Sequence, residues 1–324
     1  MRRYLAGRLL QALGVVLFVT TVSFVLVHLA PGDPIAASLD GPNVTEAVRR
    51  QVRASFGLDR PIGEQYLRWV SNLPRGELGY SISQHRPVRD VFADAIPRTL
   101  LLSGCALVLS FAIGIAVALV QAERPRSARD RWLGRALLLL YSVPDFWLAF
   151  VVLLVFATRL HWFPAGGITD SVSYDYFTPW ERLRDRLMHL VLPVSTLSLV
   201  TAAGIARFQR ASLVSVLSTD WMRTALAKGL SWRSAVRRDA FRNALLPTIT
   251  LFGLSLPVFA AGALFVEKVF SWPGMGYVTV TAIGARDYPL VTSGVLLMSI
   301  LVALGGLIAD VAVAMADPRV RLGK

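Results

Sequence analysis

The chain has 324 residues, of which 54% are hydrophobic and 17% charged, and its formal net charge is +13 at pH 7. A chain with this much positive charge could bind a polyanionic partner. The distribution of the charge, described below, excludes nucleic acid as that partner. The single cysteine, Cys105, lies within an apolar run, so neither a disulfide framework nor a CxxC metal motif is expected.

Six apolar runs are each long enough to cross the hydrocarbon core of a bilayer, which takes roughly 20 residues. They are residues 9–30, 99–122, 136–158, 188–206, 244–266 and 288–309. Only the third contains a charged residue, Asp145. Because backbone groups in lipid must satisfy one another, each run is predicted to be a helix. The first run is longer than the apolar part of a signal peptide, so we expect a retained helix and not a cleaved leader. The predicted fold class is therefore all-α, a polytopic membrane protein with six transmembrane helices.

The distribution of positive charge predicts that both termini are cytoplasmic. With the N-terminus inside, the cytoplasmic pieces contain 19 Lys and Arg against five acidic residues, whereas the external pieces contain 15 against 14. Nearly all the excess positive charge therefore lies on one side of the membrane. This is the ordinary determinant of membrane topology, and no nucleic-acid partner is needed to explain it.

Four divisions are predicted in chain order. They are a first transmembrane helix (1–30), an extracytoplasmic cap (31–97), a five-helix core (98–312) and a cytoplasmic tail (313–324). The cap opens with the stiff turn at 31–34, PGDP, and short amphipathic helices are predicted at 46–56 and 62–70. The core contains a basic cytoplasmic loop at 207–246.

The middle of that loop is predicted to be a short helix ended by a glycine. Asp220 is the expected N-cap, and Gly229 suits the position just after the helix. The intervening residues 221–228 would form a rod about 12 Å long. Held at both ends by spanning helices, such a rod is suited to mechanical coupling through a docked partner. Arginines that contact anionic headgroups are the alternative, and the residues by themselves leave both interpretations open.

Catalysis is not expected in this chain. It contains neither a GxxxxGK[ST] phosphate-binding loop nor an HExxH pair, so no catalytic residue, cofactor or metal ligand is assigned. Asp145 follows Pro144 near a helix end, which favours a capping role over a proton relay. The scarcity of charge at mid-membrane disfavours an ion-coupled secondary carrier, and a filter-like loop typical of a channel is not evident.

Trp272 begins the segment WPGMG, interpreted either as an external turn with its indole at headgroup level or as a rim that meets substrate.

Short motifs recur in order along almost the whole chain. They are PGDP (31–34), FGLDRP (56–61) followed by Gln65, Tyr66 and Trp69, GELG (76–79) with Ser81, PV (87–88), PDFW (144–147), RTALAKGL (223–230), FRNALLP (241–247), FSWPG (270–274), RDYP (286–289) and DPR (317–319). The two loop motifs closely resemble the "EAA loop" of ABC-importer permeases. The whole set resembles the first of the two membrane subunits of dipeptide and oligopeptide importers.

This resemblance implies a type I importer permease fold and a coupling helix that docks on a cytoplasmic ATPase. The implied docking residues are Asp220, Arg223, Thr224, Ala225, Lys228 and Gly229. The implied partners are a second homologous permease, two ATPase subunits, an extracytoplasmic peptide-binding protein and membrane lipid. Small residues such as Gly114 and Ala118, or Ala261 and Gly262, would permit close approach of the second permease. The general loop begins with Glu, whereas Arg223 stands six residues before Gly229 here, so the role of that Glu is not transferred. No substrate residue is named, and nickel chelates or glutathione are alternative cargoes.

Overall fold

The structure, a computed structural model, describes residues 2–29, 50–51, 53–54, 57–261 and 263–316. Its helices are α1 (Arg2–Leu29), α2 (Ile62–Asn72), α3 (Val88–Glu123), α4 (Ala128–Ser142), α5 (Asp145–Val152), α6 (Pro179–Leu217), α7 (Asp220–Ala227), α8 (Trp232–Ser234), α9 (Phe241–Ala244), α10 (Leu246–Ala260), α11 (Leu264–Val269), α12 (Met275–Gly284) and α13 (Tyr288–Ala316). Within the described residues, the only β pairing is an isolated antiparallel bridge between Tyr80 and Pro87. The all-α prediction is confirmed.

Four helices, α1, α3, α6 and α13, are long and apolar enough to cross a membrane. They coincide with the first, second, fourth and sixth predicted runs. The protein is therefore a polytopic membrane protein, while the count of six spans and the side of the termini stay predictions. Of the two helices predicted in the cap, 62–70 corresponds to α2. The PGDP turn, most of the helix at 46–56 and the DPR motif lie outside the described residues.

The third apolar run is not one straight helix. Helix α4 ends at Ser142, Val143 is extended (φ −82°, ψ 127°), and the chain re-enters a helix at an angle of 101°. Proline disfavours helical backbone in the residue before it, which explains the break at Val143-Pro144. Asp145 begins α5, where its Oδ1 accepts a hydrogen bond from the N–H of Phe146 at 2.8 Å. Asp145 is the first residue of the helix and Pro144 is the N-cap, so the expected capping position was wrong by one residue, although a carboxylate in the first turn still interacts favourably with the helix dipole.

The fifth apolar run is also interrupted. Helix α10 ends at Ala260, and the chain leaves helical geometry at Ala263 (φ −105°, ψ 81°) before α11 begins. Helix α10 alone is shorter than the roughly 20 residues that a straight crossing takes. A continuous helix over this run was therefore a wrong prediction.

The described residues form two compact units, Met1–Thr99 with Pro273–Ala303 and Leu100–Trp272 with Leu304–Lys324. In the first unit, the carboxylate of Asp287 is completely buried. Its Oδ2 accepts hydrogen bonds from Ser81 Oγ at 2.6 Å and from the N–H and Oγ of Ser83 at 2.9 and 2.8 Å. Its Oδ1 accepts from the N–H of Leu290 at 3.2 Å, as an N-cap of α13 does. We call this arrangement the Asp287 junction.

The second unit has an apolar core in which small residues allow close helix packing. A Cβ at Gly114 of α3 would lie 2.7 Å from Cγ2 of Ile205 in α6, and Ala118 is completely buried. Both therefore contribute to packing inside this chain, which is not the contact with a second permease expected from the sequence. Trp272 is only 1% exposed and packs with Phe270 and Val266. The interpretation that its indole lies at headgroup level is therefore wrong, whereas a rim formed by the segment 272–276 stays a prediction.

Candidate functional site

The eight residues of α7 form a rod about 12 Å long, as the sequence predicts. The N-cap position is Thr219, with extended backbone, and no side chain there caps the helix. Asp220 is the first helical residue, so its prediction as the N-cap was wrong by one position. A carboxylate in the first turn still interacts favourably with the helix dipole.

Gly229 follows the helix in the left-handed region (φ +85°), as predicted. Its N–H donates to the carbonyl of Leu226 at 2.9 Å, and the N–H of Lys228 donates to the carbonyl of Thr224 at 3.1 Å. These bonds satisfy carbonyls that the end of a helix leaves without partners. A glycine is required here by conformation and not by space, because a Cβ at this position would meet nothing within 4 Å.

One side of α7 is anchored in the protein. Met222 is 1% exposed and packs in an apolar cluster that includes Leu213 of α6 and Ala122 of α3. Ala225 is also buried, at 9% exposed. The buried side of α7 therefore belongs to the same apolar cluster as residues of α3 and α6.

The other side of α7 is exposed and charged. Five of the six residues implied by the resemblance are exposed or partly exposed on this side, namely Asp220, Arg223, Thr224, Lys228 and Gly229. Asp220 and Arg223 form an ion pair at 3.1 Å, with their side chains 93% and 81% exposed. Ala225 is the exception, because its burial removes it from this surface. We call these five residues the outer face of α7.

The rest of the loop is fixed to the end of α3. The indole N–H of Trp232 donates to the carbonyl of Glu123 at 2.9 Å. The Glu123 carboxylate accepts a hydrogen bond from Arg237 and is 3.3 Å from Nε of Arg233. The loop is therefore held at two places, by the apolar underside of α7 and by this ionic contact.

A second carboxylate joins three helices below the loop. Asp130 of α4 is bound by both Nε and Nη2 of Arg210 in α6, at 2.8 and 2.7 Å. It also accepts from Gln121 Nε2 of α3 at 3.0 Å and from the N–H of Arg126 at 2.9 Å. Such a two-point arginine contact fixes orientation as well as distance.

Sequence reasoning did not identify Glu123, Asp130 or Arg210 as parts of this arrangement. Each stands next to or shortly after a predicted apolar run, where a charged residue is ordinarily explained by topology. A local pattern could not have found the Asp130–Arg210 pair, because 80 residues separate its members.

The fold and the loop together define a polytopic membrane protein with a short exposed helix in a basic loop, and comparison with known proteins gives the family. Residues 110–322 match the family described as "Binding-protein-dependent transport system inner membrane component". Residues 1–103 match the N-terminal model of the membrane components of such systems. The chain belongs to this family and is a multi-pass protein of the cytoplasmic membrane.

Relatives match over essentially the whole chain. The oligopeptide transport system permease protein AppB of Bacillus subtilis is 36% identical over 322 residues, covering 99% of each chain. The di/tripeptide transport system permease protein DppB of Pseudomonas aeruginosa is 35% identical over 334 residues, again covering 99% of each. The glutathione transport system permease protein GsiC of Escherichia coli is 36% identical over 325 residues, with the same coverage.

Proposed function

We propose that this permease is one of two membrane subunits of an ATP-driven importer of peptides, and that it hydrolyses no ATP itself. The proposal for cargo is supported by similarity to permeases named for oligopeptides and for di- and tripeptides, each over 99% of this chain. The other subunits would be a homologous permease, two cytoplasmic ATPases and an extracytoplasmic binding protein.

The observation that carries the coupling part of the proposal is the two-sided character of α7. Its outer face exposes Asp220 and Arg223, while Met222 beneath them is buried against α3 and α6. An exposed ion pair contributes little to stability, so these charges are more useful as a complement to another protein's surface. Docking of an ATPase on the outer face would explain why one side of α7 is exposed and charged while the other side is buried and apolar.

Transport would follow from alternating access. Closure of the ATPases on ATP would move the outer face of α7, and the buried underside would transmit that movement to α3 and α6. The cavity would then open outward to receive a peptide, and hydrolysis would restore the inward-facing state. The Glu123 and Asp130 contacts would make the loop and the ends of these helices move together.

The coupling proposal is tested by reversing charge on the outer face in the reconstituted complex. The double variant Arg223→Glu with Lys228→Glu is expected to insert normally but to abolish uptake while ATP hydrolysis continues. The matched control is Arg238→Glu with Arg242→Glu, which makes the same change of charge at exposed residues of the same loop. Normal uptake in the first variant, or equal losses in both, would contradict the proposal.

Glutathione is the second candidate cargo, since GsiC is as similar to this chain as the peptide permeases are. Competition of unlabelled glutathione against a labelled dipeptide and a labelled tetrapeptide, measured with the binding protein of the system, separates the candidates. We expect the peptides to compete with one another and glutathione to compete weakly.

An ion-coupled carrier would be indicated by uptake that survives ATP depletion and is lost when the proton gradient collapses.

A further inference from the structure

A cavity of about 570 Å³ lies between the turn that joins α3 to α4 and the second half of the cytoplasmic loop. We call it the basic cleft, and it is bounded by Val120, Arg124, Ser127, Arg129, Trp232 and Arg233. Neither the outer face of α7 nor any residue assigned to docking lines it. Its three arginines come from two different segments of the chain, which the Trp232–Glu123 hydrogen bond holds together.

The positive charge of the basic cleft is only partly neutralised, because Glu123 pairs with Arg233 but not with Arg124 or Arg129. Within the described part of the chain, no ion-pair partner is found for Arg124 or Arg129. Glu123 also borders the cleft, but its carboxylate is already engaged by Arg237 and Arg233. Three arginines line one cavity whose single carboxylate is shared by Arg233 and Arg237, so the cavity has an excess of positive charge that a bound anion would offset.

The end of the apolar run 99–122 places the cleft at the expected depth of lipid headgroups. Val120 belongs to the apolar run 99–122, and Arg124 is one helical turn later, about 6 Å further along the axis. Trp232, 37% exposed, lies at its edge, and Trp132 of α4 is 68% exposed with the Arg135 guanidinium 5.3 Å from its ring centroid. Exposed tryptophan and arginine together are typical of a membrane interface.

We propose that the basic cleft binds the phosphate of an anionic phospholipid of the inner leaflet, with the guanidinium groups of Arg124, Arg129 and Arg233 around the phosphate oxygens. The acyl chains would lie against the apolar end of α3 near Val120. A lipid bound there would join the α3–α4 turn to the segment that follows α7, at the base of the moving loop. The site is independent of the cargo and of docking on α7.

Lipid binding is tested on the intact permease with its partner subunits, purified from phosphatidylcholine nanodiscs that contain phosphatidylglycerol. Native mass spectrometry measures the phosphatidylglycerol retained per complex. The double variant Arg124→Gln with Arg129→Gln is expected to weaken retention on the order of tenfold or more, since each basic residue at a membrane surface contributes measurably to anionic-lipid binding. The matched control, Arg135→Gln with Arg242→Gln, removes the same charge outside the cleft and is expected to retain lipid as the unmodified protein does.

Two further measurements, together with the comparison of the Gln variant and its control, distinguish a specific lipid site from misfolding, from a free-anion site and from general surface charge. The variant Arg124→Lys with Arg129→Lys keeps the charge, and retention close to normal would show that the loss in the Gln variant is not caused by misfolding. Equal losses in the Gln variant and its control would overturn the proposal in favour of general surface charge. Displacement of the lipid by millimolar inorganic phosphate would overturn the lipid assignment in favour of a free anion. Lipid retention unchanged in all variants would also overturn it.

Discussion

The outer face of α7 and the Asp287 junction use the same functional group in opposite ways. Asp220 is 93% exposed, and the ion pair it forms is with Arg223, three residues away. Asp287 is completely buried and accepts hydrogen bonds from Ser81, Ser83 and Leu290, with more than 200 residues between the first two and their acceptor.

Exposure decides what each carboxylate contributes. A buried carboxylate that loses its partners costs the protein its full desolvation penalty, so the Asp287 junction must be structural. Exposed pairs contribute almost nothing measurable to folding. Charges on the outer face of α7 are therefore better explained by contact with another subunit, and variants that separate stability from uptake test this distinction.

The largest effect on stability is expected from Asp287→Ala. It leaves two serine side chains and two backbone N–H groups without their acceptor in a buried site, which is expected to destabilise the protein by about 3 kcal/mol or more. Thermal unfolding in detergent, together with the yield of monodisperse protein, measures this. The control is Asp94→Ala, which removes an exposed ion pair with Arg86 and is expected to leave the melting temperature almost unchanged. Similar melting temperatures for both variants would show that the junction is not structural.

The next effect concerns the underside of α7. Met222→Ala removes a side chain that is 1% exposed and is expected to cost about 2–3 kcal/mol. Uptake is expected to fall as well, because the rod loses its contact with α3 and α6. Met222→Leu nearly conserves the volume and is expected to cost under about 1.5 kcal/mol with uptake retained. Full uptake in Met222→Ala would argue against transmission through this contact.

A smaller effect is expected at Gly229. Substitution by alanine places a Cβ on a residue with φ +85° and is expected to cost about 1 kcal/mol, although nothing lies within 4 Å of the new atom. Gly63→Ala is the matched control, since a Cβ there also meets nothing within 4 Å and the residue lies in helix α2. Alanine is favoured over glycine in a helix, and Gly63 lies in the first turn, so the control is expected to stabilise the protein by less than the roughly 1 kcal/mol of a helix interior. Thermal unfolding of the two variants should therefore shift in opposite directions.

The sequence predicted features that depend on neighbouring residues better than features that depend on distant contacts. The rod of α7 and the left-handed Gly229 follow from neighbouring residues, and the structure contains both. The N-cap was misplaced by one residue because Thr219 and Asp220 are both suitable, and such boundaries are the least certain part of a prediction. The bend at Val143-Pro144 had a local signal in the proline, but uniform hydrophobicity made a straight span more attractive.

Features that depend on distant contacts were not predictable. Ala225 and Arg223 belong to one motif, yet only the folded structure shows that Ala225 is buried while Arg223 is exposed. Trp272 was assigned to the surface by the turn residues that follow it, whereas contacts within the apolar core bury it. A motif identifies which residues matter, but the fold decides which of them face a partner.

Arg223→Ala is expected to have the smallest effect on stability and one of the clearest effects on function. The guanidinium is 81% exposed and its ion pair is within one helical turn, so the free energy of unfolding should change by no more than about 0.5 kcal/mol. Uptake in the reconstituted complex should nevertheless fall several-fold, because the charge is missing from the surface that an ATPase would contact. Arg242→Ala removes another exposed arginine from the same loop and should change neither quantity. If both variants transport normally, the outer face of α7 has no docking role, and its charges are better assigned to contact with lipid headgroups.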